Sequence, residues 1–115
     1  MSLNAISRTA NGEVLKLRAK VKNKVMLILL DSGRSHSFVT SSFLQQVGLT
    51  PVPMTPKKVQ VANGHMLVTN KQVLQFSCWC QGYTLTADMQ VLDLGPYDAI
   101  LGYDWLKSHS PMVCH

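Results

Sequence analysis

Apolar and polar positions alternate with a period of two along most of this chain, which predicts strands in preference to helices. From Val14 to Val21 the alternation sets Leu17, Ala19 and Val21 on one side and Lys16, Arg18 and Lys20 on the other. Lys22-Asn23-Lys24 can turn the chain, and Val25 to Leu30, six apolar residues in a row, predicts a returning strand buried on both faces. That strand ends abruptly on Asp31-Ser32-Gly33. Lys58 to Ala62 and His65 to Thr69 alternate around Asn63-Gly64, a strong hairpin signal because both central positions of the tightest turns need positive φ. Gln72 to Cys80 and Tyr83 to Leu92 form a further pair of strands around Gln81-Gly82, and Ala99 to Gly102 is a second short buried run.

Helical signals are few. Thr40-Ser41-Ser42 can cap a short helix that buries Phe43, Leu44 and Val47 and stops at Gly48. Asp104-Trp105-Leu106-Lys107 begins another, with Trp105 expected in the core. Thr50 to Pro56 carries three prolines in seven positions, so it is read as an extended connector that cannot be a central strand. Asp93-Leu94-Gly95-Pro96 turns the chain, and Met1 to Gly12 is polar and aperiodic. The pattern alone therefore predicts an all-β sheet protein with one or two short helices over 14–115, preceded by a flexible arm over 1–13.

Composition narrows the class. With 115 residues, 46% apolar and 15% charged, the chain is one domain with a real core. No apolar run approaches membrane-spanning length and Met1 to Gly12 lacks a signal-peptide core, so a soluble intracellular protein without a membrane partner is expected. The net charge of +5 raises nucleic acid as a partner. Five of the eleven basic residues, however, fall at Lys16, Arg18, Lys20, Lys22 and Lys24, without interleaved aromatics for base stacking. A solvated strand face that discourages edge pairing is favoured, and nucleic acid is not expected to bind this domain. The three cysteines fit no disulfide framework. Cys78 and Cys80 share a strand face, and a zinc site completed by Cys114 with His109 or His115 is conceivable. The spacing of one residue, against the usual two to four, favours free thiols.

A charged Asp at the mouth of an apolar strand is costly unless it is hydrogen-bonded or used for chemistry. Asp31-Ser32-Gly33 followed by Arg34-Ser35-His36-Ser37-Phe38-Val39 resembles the active-site loop of retroviral-type aspartic proteases. Tyr97-Asp98-Ala99-Ile100-Leu101-Gly102-Tyr103-Asp104-Trp105-Leu106 resembles that family's second signature, two apolar residues and a glycine before a short helix. With Lys107 to Met112 added, the chain is most similar to the protease domain of Ty3/gypsy-type retrotransposon polyproteins, particularly those of plants. Both signatures in order, about seventy residues apart, make the match specific. The resemblance implies a retropepsin-like acid-protease fold: a closed β-sheet subunit with a flap hairpin, whose half-site is completed by a second copy.

It also implies a chemistry. Hydrolysing a peptide without a metal or a covalent intermediate requires one group to take a proton from water while another protonates the carbonyl oxygen. Two carboxylates in contact can share one proton and do both. In the resemblance Asp31 supplies one carboxylate, Ser32 hydrogen-bonds behind it and Gly33 lets the backbone turn close to the carboxyl. No other acid, Glu13, Asp88, Asp93, Asp98 or Asp104, precedes Ser-Gly or Thr-Gly at the end of an apolar run. The chain thus carries half a site, and a two-fold homodimer completes it. The hairpin becomes the flap, with Ala62, Asn63, Gly64 and His65 at its tip; these and Arg34 of the active-site loop are the residues expected to bind a polypeptide substrate, the element's own polyprotein. Without the resemblance it is an ordinary surface hairpin. No cofactor is implied.

Two features depart from the family pattern. Arg34 stands where a small residue is usual. A guanidinium aimed at the dyad favours ionised carboxylates and is expected to weaken activity or lower its pH optimum, whereas pairing with Asp98 or Asp104 makes it harmless. Pro111 to His115 leave little for the interleaved terminal strand of retroviral relatives, which implies weak dimerisation. The leading reading is an aspartic endopeptidase. The alternatives are a protease-fold dimer that binds peptide or protein without cutting, and a basic nucleic-acid-binding module.

Overall fold

The computed structural model describes residues 14–31, 33–61, 64–80, 82–93 and 95–108; the predicted arm, the C-terminal tail, Cys114, His109 and His115 lie outside them. The first alternating run and the apolar run pair as an antiparallel hairpin. Strand β1 (Val14–Val21) runs against β2 (Lys24–Asp31), from Val14 opposite Asp31 to Val21 opposite Lys24. Lys22 and Asn23 take φ of 48° and 70°, the left-handed pair that a two-residue hairpin loop requires. Lys16, Arg18 and Lys20 are exposed while Leu17, Ala19 and Val21 are buried, as the alternation predicts.

β2 corrects one expectation. Met26, Ile28 and Leu30 enter the main core, but Leu27 and Leu29 are only half-buried and Val25 is exposed. A strand buried on both faces needs a second layer over its whole length. Here Leu29 meets only a small second cluster, formed by Phe38, Leu92 and Ile100 with Val59 and Val61. That open face is the floor of a cleft.

The remaining strands are β3 (Phe38–Val39), β4 (Val52–Gln60), β5 (Met66–Cys80), β6 (Tyr83–Val91) and β7 (Ala99–Leu101). They form one seven-stranded sheet in the order β1-β2-β7-β3-β6-β5-β4, and Lys20 of β1 pairs with Trp79 of β5, closing six strands into a ring with β4 outside it. β7 lies parallel to β2 and antiparallel to β3, so Ala99, Ile100 and Leu101 are all buried next to the Asp31 strand. The proline-rich stretch becomes part of edge strand β4, a correction to the connector reading. Pro53 and Pro56 are tolerated there because an outer edge owes no ladder bonds, and the register shifts between Pro53 and Lys57. The two runs predicted either side of Asn70-Lys71 are a single strand, β5. It is bulged between Val73 and Phe76, where Gln75 takes φ 54° and its N–H donates to Asp88.

Helix α1 (Ser41–Val47) starts at Thr40, whose hydroxyl accepts from the Phe43 N–H at 3.2 Å, and ends at Gly48 in the left-handed region. It buries Phe43, Leu44 and Val47. Helix α2 (Tyr103–Ser108) places Trp105 in the core. No helix among the described residues is long and apolar enough to cross a membrane.

Cys78 and Cys80 share the inward face of β5 as free thiols, and no group of His, Cys, Asp or Glu among the described residues is arranged to hold a metal ion. Burial, with the neighbouring Cys80 second, pushes the Cys78 thiol up to about 12, and burial raises Cys80 too. At pH 8, four units below that value, thiolate at Cys78 is on the order of one part in 10⁴. In a Cys114→Ser variant, alkylation of both thiols at pH 8 is expected to be blocked in the native protein and rapid after denaturation, read by mass spectrometry. The unfolded chain releases these protons above about 9.0 and the fold does not, so stability falls as pH rises from 9 towards 12.

Candidate active site

Asp31 is the last residue of β2, held at the mouth of the cleft by pairing with β1 on one side and, from Leu30 back, with β7 on the other. Its Oδ1 accepts the Gly33 N–H at 3.0 Å, and the Arg34 N–H returns to the Asp31 carbonyl at 3.2 Å, which curls the loop around the carboxylate. A Cβ on Gly33 would stand 3.2 Å from that Oδ1, so glycine is what permits the approach. Ser32 lies outside the described residues.

Arg34 points into the site. Its Nε lies 3.6 Å from Asp31 Oδ2, with the two side chains 22% and 19% exposed, and its Nη1 donates to the Gln60 carbonyl at 3.0 Å. The guanidinium therefore ties the carboxylate loop to the end of β4. At 3.6 Å the Nε contact is an ion pair without a direct hydrogen bond, and this buried N–H has no hydrogen-bond partner among the described residues.

The alternative anchors proposed for Arg34 are engaged elsewhere. Asp98 Oδ2 accepts the Leu27 N–H at 2.8 Å while its own N–H donates to the Leu27 carbonyl, locking the segment before β7 onto β2. Asp104 Oδ1 accepts from the Ser37 hydroxyl at 2.7 Å and from the Trp105 N–H. Asp93 accepts from Ser41 and Asp88 from Gln75. Among the described residues, none of these carboxylates is hydrogen-bonded to Asp31; Glu13 lies outside them.

The second sequence signature acts as a clamp on the first. Buried Ser37 accepts the Gly102 N–H at 3.0 Å while donating to Asp104, and the Tyr103 N–H donates to the Arg34 carbonyl at 2.6 Å. Backbone groups of the Asp31 loop are thus satisfied by residues some seventy positions away. Ser37 and Asp98 were not singled out as site residues from sequence. Their signal is visible only as short polar side chains flanking the two motifs.

Above the cleft stands the β4–β5 hairpin. Gln60 pairs with Met66, the Val61 N–H donates to the His65 carbonyl at 2.9 Å, and the Gly64 N–H donates to the Val61 carbonyl at 3.2 Å. That last bond closes a turn from Val61 to Gly64, so Gly64, at φ 75°, is its final residue and not a central one. The turn sits one residue earlier than Asn63-Gly64 predicts. Gly64 and His65 are exposed at the tip; Ala62 and Asn63 lie outside the described residues. Met66, Leu67 and Val68 leave apolar surface exposed on the hairpin.

Two cavities flank Arg34. One, of about 350 Å³, is mostly apolar, with Leu29, Val61, Leu67, Tyr97 and Ile100 around it. The other, of about 260 Å³, lies between the 33–36 loop and β4 and is lined by Ser35, His36 and Lys58 as well as Arg34. Arg34, paired with Asp31, thus stands between two cavities that are walled in part by residues of the β4–β5 hairpin.

The profile of the family described as retroviral aspartyl protease matches residues 1–115. In fold the chain is similar to the retroviral protease-like domain of Ddi1 from Leishmania major, with a TM-score of 0.68 and 19% identity over 84% of this chain and 78% of that one. No curated protein sequence matches.

Proposed function

Because this chain belongs to the retroviral aspartyl protease family, we propose that it is an aspartic endopeptidase whose site is assembled from two copies of Asp31. The observation that carries the reading is a carboxylate at the end of β2, curled over by Gly33 and paired with Arg34, which lines two cavities beside the β4–β5 hairpin, with the other described acids bonded elsewhere. On a two-fold axis the two carboxyls share a proton. One takes a proton from water as its oxygen attacks the peptide carbonyl, and the other donates to the carbonyl oxygen. An extended peptide adds to the hairpin edge as a further strand, with its side chains in the flanking cavities. The hairpin, with Ala62, Asn63, Gly64 and His65 at its tip, closes over the peptide and excludes water. A retroelement polyprotein containing this domain is the natural substrate.

The test is concentration dependence. Cleavage of an unfolded polypeptide per subunit should rise with protein concentration and level off where sedimentation shows dimer. Full specific activity from a sedimenting monomer would overturn the shared site.

A second reading rests on the Arg34–Asp31 ion pair: a dimer that holds polypeptide without cutting it, because the guanidinium occupies the place where water must bind. Retained peptide binding with intact substrate from mildly acidic to neutral pH would establish that reading over the first.

A further inference from the structure

The cavity between the 33–36 loop and β4 has a composition that its neighbour lacks. Arg34 and Lys58 bring two cationic groups to it from elements more than twenty residues apart, His36 and Ser35 add ring and hydroxyl donors, and no Asp or Glu among the described residues lines it. Of the five N–H donors on a guanidinium, one goes to the Gln60 carbonyl and the buried Nε faces Asp31, which leaves the other Nη donors of Arg34 to meet a further anionic partner. The adjoining cavity shares Arg34 but is otherwise mostly apolar, and it carries an acid, Asp93, in place of Lys58 and His36.

We propose that this basic cavity receives an acidic side chain of the substrate, so that the protein selects polypeptides with an Asp or Glu close to the apolar residue seated beside it. The inference rests on the proteolytic reading for its occupant being a substrate. The carboxylate bonds the free edge of Arg34 and lies within the field of Lys58. Fork-shaped pairing of this kind is strong and geometrically selective, and an amide of the same shape cannot reproduce it. Binding also draws the guanidinium towards the substrate and away from Asp31. An acidic peptide thereby loosens the contact that ties up the carboxylate.

Short extended peptides with one Glu moved through successive positions test this against the same peptides with Gln. Where a peptide is cut, kcat/KM is compared; where it is left intact, fluorescence anisotropy gives the affinity. At one position Glu is expected to exceed Gln by about tenfold or more, the scale of one charge-assisted hydrogen bond. The preference should be lost in Arg34→Gln and reduced in Lys58→Gln, whose exposed side chain can change without disturbing the fold. It should persist in a Lys16→Gln, Lys20→Gln double variant, which removes charge from the exposed face of β1. Equal use of Glu and Gln overturns the assignment, and if peptides are still cut, proteolysis stands without it. Equal loss of preference in the β1 variant overturns it too, because net charge then explains the effect. A Glu preference in binding without cleavage supports the cavity while refuting the proteolytic reading.

Discussion

Asp31→Asn is expected to lower peptide hydrolysis by about 10⁴-fold, the upper range for positioned general acid–base groups. The replacement is nearly isosteric, and an amide oxygen can still accept the Gly33 N–H that Asp31 Oδ1 accepts at 3.0 Å. Loop geometry should therefore survive while the ability to take a proton from water disappears. Both sites of a symmetric dimer change together, so neither half can compensate. Mixing adds a sharper result. A dimer with one Asp31 and one Asn has a single carboxyl that cannot act as base and acid in the same step, so an excess of variant subunits should suppress the wild-type activity. Circular dichroism and sedimentation must be unchanged for the comparison to stand. Residual hydrolysis within tenfold of wild type would put the chemistry elsewhere, and the bonding of Asp88, Asp93, Asp98 and Asp104 leaves few places for it.

What could be read from the chain ahead of its structure divides by range. The Lys22-Asn23 turn, the Thr40 cap and the Gly48 stop are local signals, and each does what its chemistry predicts. The all-β architecture follows from alternation, and its closure into a ring with an attached hairpin was available through the two signatures together. Burial at Val25 to Leu30 is not legible because an apolar run shows that a strand is apolar and not what covers each face; Leu29 faces a cleft. Alternation breaks at Asn70-Lys71, opposite the shift in the β4 register, yet β5 runs on through it, so the pattern predicts two strands where there is one. Nothing in the residues around Gln75 announces a bulge. At the site, the proximity of Arg34 to Asp31 was one of two open outcomes and the structure selects it. The gathering of Lys58 and Gln60 beside Arg34 was not legible, because the bond that brings them together spans 26 residues and depends on where an edge strand lies.

That long-range assembly makes Gly102 the position where the smallest change should do the most structural damage. It needs no special φ; what it needs is space. A Cβ there would stand 2.7 Å from the Arg34 carbonyl oxygen and press on the His36 carbonyl as well. Both obstacles are backbone, so no rotamer change relieves them. The Asp31 loop must move off β7 or β7 must move off β2, and either motion breaks the Gly102 to Ser37 and Tyr103 to Arg34 bonds. Overpacking a core costs about 1–3 kcal/mol where side chains can adjust. Leaving a buried N–H unpaired adds about 1–3 kcal/mol. Gly102→Ala is therefore expected to destabilise by roughly 3 kcal/mol or more, a large part of the ~5–15 kcal/mol that holds a domain together. Urea denaturation should show a lower midpoint at unchanged slope, and cleavage should fall even at temperatures where the variant stays folded, because the displaced loop carries Asp31. Gly48→Ala is the control: its Cβ meets nothing within 4 Å, so its cost comes from the left-handed φ alone and should leave cleavage by the folded fraction intact. Stability within about 1 kcal/mol of wild type for Gly102→Ala, below the usual overpacking range, would mean that the contact between the two signatures yields easily. The second signature would then not be what holds Asp31 in place.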